Sequence, residues 1–84
     1  MRLTGRVTIL GMDDWLVFAL DERGRLYQAM LEMDPRWLDA PGPDDSPEAE
    51  EYMLDEIRKR PNSVNWEPVP EPSHQDVLRR FGLS

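Results

Sequence analysis

Cysteine is absent from this 84-residue chain, and two sources of stability are thereby excluded. Without thiols the chain can form neither a disulfide framework nor a thiolate zinc site to compensate for a small core. Disulfide-forming compartments gain no support either. The first ten residues contain too short an apolar run for a signal peptide or a membrane span. We therefore expect a single soluble, cytoplasmic domain that depends on its hydrophobic core alone.

Histidine occurs once, as His74, and the five glycines stand apart from one another. A transition-metal site would need His74 and carboxylates without a second imidazole, which is an uncommon ligand set. Isolated glycines exclude the glycine-rich loops that bind phosphate. Ser46 and Ser73 are better explained as helix caps than as nucleophiles. The sequence predicts no catalytic residue, no metal and no organic cofactor, and His74 is expected to be an exposed residue in the first turn of a helix.

Basic residues are outnumbered, and the net charge is −7. Residues 39–56 contain eight acids and no base, which leaves nine acids and ten bases in the rest of the chain. This distribution disfavours a phosphate backbone or an anionic membrane as a partner, because both require a basic surface. It favours a basic protein. The alternative is a solvated face that only confers solubility. Nine arginines against one lysine indicate a GC-rich bacterial genome.

An antiparallel β-meander is predicted for residues 1–33 from runs of β-branched, aromatic and long apolar residues between turn clusters. The predicted strands are residues 6–10, 15–20 and 25–33, and the predicted turns are residues 11–14 and 21–24. Gly24 suits the left-handed position that ends a type I turn with a bulge. The second strand contains no polar residue, so we expect apolar cover on both faces of the sheet. In the third strand we expect Tyr27, Ala29 and Leu31 to face the main core.

Two helices are predicted after the sheet. Ser46 as cap, Pro47 at the first position and a basic last turn before Pro61 predict a main helix from about Pro47 to Lys59, within a segment 46–60. The other segments are a short turn and Pro/Gly loop at 34–45, a short strand at 64–66 with a proline-rich strap within 61–72, and a C-terminal helix within 73–84. That helix is expected to begin with a capping box at Ser73 and to end at Gly82. The fold class is α+β, with a small meander of three to four strands packed against the main helix and the short C-terminal helix.

Tryptophan is the residue type that points most directly to a partner. Trp15 and Trp66 are expected in the core. Trp37 lies in a predicted one-turn helix before a proline loop, where full burial is hard to arrange, and tryptophan is enriched at binding hot spots. The alternative is that Trp37 fills one edge of the core. The predicted partner-binding residues are Trp37, Leu38, Asp39, Asp44, Asp45, Glu48, Glu51 and Asp55.

The leading hypothesis is a noncatalytic protein-binding module, such as an inhibitor, an immunity-type protein or an accessory subunit. A nucleic-acid-associated regulator is the second hypothesis, and it would use arginines on the sheet, namely Arg2, Arg6, Arg23 and Arg25. A small cation-dependent enzyme or enzyme subunit is the third, and it would use the adjacent acids Asp13–Asp14, Asp44–Asp45 and Glu50–Glu51. The bases at the two helix ends are expected to complement the helix dipoles, unless the ends meet and form one positive spot.

Overall fold

A computed structural model describes residues 2–31 and 47–83. Its sheet has four antiparallel strands in the order β1-β2-β3-β4, which are β1 Thr8–Asp13, β2 Leu16–Leu20, β3 Leu26–Met30 and β4 Glu67–Pro68. Its helices are α1 Pro47–Lys59 and α2 His74–Arg80, with short 3-10 helices at Pro61–Ser63 and Glu71–Ser73. The predicted α+β class, with a main helix and a short C-terminal helix on a small antiparallel sheet, is confirmed.

The first hairpin lies later in the chain than predicted. Strand β1 continues through Gly11 to Asp13, and the turn is made by Asp14 and Trp15, with φ values of 51° and 65°. Two successive positive φ values give a turn whose twist matches the twist of the flanking strands. Gly11 therefore lies within β1 rather than in the turn. The pairing register of β1 with β2 shifts between Ile9 and Gly11.

The second hairpin is built as predicted. Gly24 has a φ of 78°, and its N–H donates to the carbonyl of Asp21 at 3.0 Å. The Asp21 carboxylate, whose side chain is 9% exposed, accepts the backbone N–H groups of Arg23 at 2.9 Å and Arg25 at 2.8 Å. Partial burial raises the pKa of Asp21, but the N–H groups of Arg25 and Arg23 and the charge of Arg25 outweigh it and hold the pKa below its usual value. One carboxylate thus organises the turn.

Apolar residues cover both faces of the sheet, because successive side chains of a strand point to opposite sides. Val17 and Ala19 of β2 belong to the main core under α1, whereas Phe18 belongs to a second core under α2. The main core also contains the predicted β3 set of Tyr27, Ala29 and Leu31. The second core is completed by Leu26, Val69 and Val77, with Leu10, Leu16, Leu20 and Phe81 at its margin. The two-sided cover expected for β2 is confirmed.

Helix α1 has the predicted bounds, because both of its ends are encoded locally. Glu48 and Glu50 lie in its first turn, and Arg58 and Lys59 lie in its last turn, so the charges oppose the helix dipole at both ends. Its buried residues are Ala49, Met53, Leu54 and Ile57, which recur at intervals of three and four residues. This face holds α1 on the sheet.

The segment after α1 differs from the prediction of a strand at residues 64–66. The paired strand is β4, in which Pro68 and Glu67 stand opposite Tyr27 and Gln28 at the edge of the sheet. Trp66 is fully buried, and its indole N–H donates to the carbonyl of Pro61 at 2.6 Å. Burial of the indole with a satisfied donor fixes the preceding residues in a 3-10 helix rather than a strand.

A side-chain clamp joins the first residues of the chain to this 3-10 helix. The amide oxygen of Asn62 accepts the N–H of Leu3 at 2.7 Å, and the amide nitrogen donates to the carbonyl of Leu3 at 2.8 Å. Leu3 itself is buried in the main core. The N-terminal segment is therefore fixed although it belongs to no strand.

Helix α2 begins differently from the prediction and ends as predicted. Ser73 makes no side-chain capping bond, because the chain is already helical through the 3-10 helix Glu71–Ser73. At the other end, the N–H of Gly82 donates to the carbonyl of Arg79 at 3.1 Å, and the N–H of Leu83 donates to the carbonyl of Leu78 at 2.7 Å. This pair of bonds is a Schellman ending. The predicted exposure of His74 is wrong, since its ring is half-buried.

Candidate functional site

The outer face of α1 carries three acids at helical spacing. Glu48, Glu51 and Asp55 are separated by three and four residues, so they lie on one side of the helix, and all three are exposed. We call these residues the acidic stripe. It lies opposite the buried face of α1, because that face follows the same periodicity half a turn away. The anchoring of α1 on the sheet thus fixes the direction in which the stripe points.

Arg58 lies at the C-terminal end of the acidic stripe. Its Nη1 donates to Oε1 of Glu51 at 2.9 Å and to Oδ1 of Asp55 at 3.0 Å. The hydrogen bond to Glu51 raises the pKa of Arg58 above its ordinary value, and Asp55 adds to this, while partial burial acts in the opposite direction. All three side chains remain 45% to 63% exposed, so water screens these pairs and they add little to stability. Their effect is to order the part of the stripe that Glu51 and Asp55 form.

The other predicted partner-binding residues lie outside the described residues. These are Trp37, Leu38, Asp39, Asp44 and Asp45. The predicted loop at 34–45 and the predicted cap Ser46 lie there too. Of the predicted set, the structure thus brings together Glu48, Glu51 and Asp55 on one helix face. Sequence reasoning missed Arg58 as their counter-charge, although its spacing from Asp55 is a signal that could have identified it.

The four arginines of the nucleic-acid hypothesis do not lie on an open sheet face. Arg25 contacts Asp21 at 3.3 Å, and Arg23 and Arg25 line a depression together with Asp21 and Glu22. Both faces of the sheet are lined by the two cores instead. The bases at the ends of α1 and α2 belong to helices on opposite faces of the sheet, and Arg80 pairs with Asp13. A single positive spot at these two helix ends stays a prediction.

Three of the four adjacent acids that the structure describes have structural roles. Asp13 pairs with Arg80, Asp14 forms the first turn, and Glu51 pairs with Arg58. Among residues 2–31 and 47–83, no group of three or more His, Asp or Glu side chains is arranged to hold a metal ion. His74 uses its ring to donate from Nε2 to the carbonyl of Val69 at 2.7 Å, which ties α2 to the strap before it.

Comparison with protein-family models, with curated proteins and with solved structures gives no match for this chain. Neither of the two described helices has the length and apolar character needed to cross a bilayer.

Proposed function

We propose that the protein is a noncatalytic binding module, of the kind used as an inhibitor, an immunity-type protein or an accessory subunit, and that its partner is a basic protein. The observation that carries the proposal is the acidic stripe on α1, which is exposed and is held in one orientation by the buried face of the same helix. The three acids of the stripe and the paired Arg58 together carry a net charge of −2. A fixed excess of negative charge raises the rate of encounter with a surface of opposite charge. A cytoplasmic location is part of the proposal.

The sequence extends the proposed surface beyond the stripe. Trp37 and Leu38 are the proposed apolar anchor, and Asp39, Asp44 and Asp45 are proposed to add to the same negative field. Anchors of this type carry most of the binding energy in protein interfaces, while charges at the rim control association. The two groups of residues should therefore affect different rate constants.

The nucleic-acid alternative is less well supported. Arg23 and Arg25 lie beside Asp21 and Glu22, whose charges oppose those of the arginines. Binding to a phosphate backbone depends on a net basic footprint that releases counterions. The alternative enzyme function is weaker still, because Asp13, Asp14 and Glu51 already have structural roles in the hairpin and in ion pairs.

A comparison of three baits tests the proposal. The first bait is the wild-type protein, and the second, the stripe variant, carries Glu48→Gln, Glu51→Gln and Asp55→Asn. Each bait is immobilised and exposed to lysate of the source organism, and captured proteins are identified by mass spectrometry. We expect the wild-type protein to capture at least one basic protein that the stripe variant fails to retain.

The third bait controls for overall charge. It carries Asp14→Asn, Glu67→Gln and Glu71→Gln, which are exposed acids outside α1 with no ion pair among the described residues. Both variants change the net charge from −7 to −4. The control variant should capture the same basic protein as the wild type. Equal loss in both variants would show that only the total charge matters, and equal retention in both would show that the stripe is not the binding surface.

A further inference from the structure

An open depression of about 430 Å³ lies where the N-terminal segment meets the 3-10 helix after α1. It is lined by Arg2, Asn62, Ser63, Val64 and Asn65. Among the residues that the structure describes, no acid lines it, although the protein as a whole carries a charge of −7. The described lining therefore differs from the acidic stripe, because Arg2 is its one charged residue and is a cation.

The arginine that lines this depression, Arg2, is not neutralised by any residue that the structure describes. Arg58, Arg79 and Arg80 each have an acidic partner, whereas Arg2 and Arg60 form no ion pair with any residue that the structure describes. Arg60 does not line the depression, but its backbone carbonyl accepts the N–H of Ser63 at 2.9 Å. An exposed guanidinium without a counter-charge keeps all of its donors for an external oxygen ligand.

The backbone around the depression is held in place by hydrogen bonds from Asn62 and from the buried Trp66. The Asn62 side chain holds Leu3, the neighbour of Arg2, by accepting its backbone N–H at 2.7 Å and donating to its carbonyl at 2.8 Å. The indole N–H of Trp66, whose ring lies in the core, donates to the carbonyl of Pro61 at 2.6 Å and holds it in place. Arg2 is thus attached to a fixed segment even though it is the second residue of the chain. A site whose supporting backbone is already ordered loses less entropy when it binds a ligand.

We propose that this depression is an oxyanion-binding site, in which the Arg2 guanidinium binds a phosphate or carboxylate group of a small molecule. The proposal rests on Arg2 and not on Ser63 or Asn65, each of which already takes part in another interaction. It is independent of the acidic stripe, because no residue is shared between the two surfaces.

The test is a titration of ¹⁵N-labelled protein, tagged after Ser84 so that Arg2 stays unobstructed, with sodium phosphate, sodium acetate or sodium chloride at matched ionic strength. We expect phosphate, acetate or both to shift the amide signals of residues 62–65 saturably, with dissociation constants in roughly the millimolar range, while chloride does not. A response to phosphate alone would indicate a phosphate ligand, and a response to both anions would indicate a general oxyanion site.

Two variants decide whether the depression is responsible. Arg2→Gln should weaken binding about tenfold, as expected for the loss of hydrogen bonds to a charged group. Arg23→Gln removes another exposed arginine, one that does not line the depression. It should leave binding within about twofold of wild type, because water and salt screen a charge that makes no contact with the ligand. The unchanged dispersion of the amide spectrum verifies folding. No saturable shift at residues 62–65, or equal weakening by both substitutions, would overturn the proposal.

Discussion

The substitution Gly11→Ala is expected to destabilise the protein by about 3 kcal/mol, because a methyl group at this position would overlap the ring of Phe81, the residue that follows α2. A Cβ on Gly11 would lie 2.6 Å from Cε1 and 3.2 Å from Cδ1 of Phe81, whereas carbon atoms in contact are about 3.5 to 4.0 Å apart. The ring cannot move freely, since it packs against Phe18 with 5.7 Å between ring centroids. Overpacking costs about 1 to 3 kcal/mol, and a side chain at positive φ adds about 1 to 2 kcal/mol.

Thermal and urea unfolding give the magnitude, and a loss of about 3 kcal/mol corresponds to a fall in Tm of roughly 12 to 24 °C for a domain of this size. Gly24→Ala is the matched control, because Gly24 also has a positive φ but a Cβ there would meet nothing within 4 Å. Phe81→Leu should partly relieve the overlap, so the double variant should be at least about 1 kcal/mol more stable than additivity predicts. Additive effects, or equal costs at Gly11 and Gly24, would refute the assigned contact.

Three further predictions concern the clamp, the second hairpin and the proposed anchor. Asn62→Ala should lower the free energy of unfolding by about 2 kcal/mol, because it leaves two backbone groups of Leu3 without partners, and a urea titration showing less than about 0.5 kcal/mol would contradict this. The pKa of Asp21 is lowered in the folded protein, so its contribution to stability is present above about pH 4 and is lost as the pH falls through the folded pKa. Asp21→Asn should therefore flatten the fall in unfolding free energy at acid pH. An unchanged fall would argue against this assignment. Trp37→Ala should weaken partner binding by about 2 kcal/mol or more, mainly by faster dissociation, and should leave the Tm unchanged. A large loss of stability with normal affinity would instead make Trp37 a core residue.

The elements that could be predicted from sequence are those whose signals are local. Helix α1 has proline at its first position, acids in its first turn and bases in its last turn before Pro61, so its bounds do not depend on distant residues. The second hairpin is similarly determined by Asp21 and Gly24. The alternation of apolar residues was also sufficient to predict which side chains of β3 face the main core.

The elements that could not be predicted depend on contacts between distant parts of the chain. Gly11, Asp13 and Asp14 all favour turns, and the choice of Asp14 and Trp15 goes together with the seating of Phe81 against Gly11. The alternation around Trp66 resembles a strand, but its indole bonds to Pro61 and stabilises a different backbone. Local sequence carries no information about either partner.

The candidate sites divide in the same way. The acidic stripe could be predicted because its residues are close in sequence and helical periodicity places them together. The depression beside Arg2 could not, because Leu3 and Asn62 are 59 residues apart and only the folded chain brings them into contact. No pattern within either segment indicates that they meet.

The most direct test of the proposed function is the association rate constant of the captured basic protein, measured by surface plasmon resonance over a series of salt concentrations. With the wild-type protein the rate constant should fall steeply as salt increases, since ions screen the field of the acidic stripe. The stripe variant should associate about tenfold more slowly at low salt, with a flatter salt dependence and a nearly unchanged dissociation rate constant. Identical association rate constants for the two proteins at every salt concentration would contradict the account.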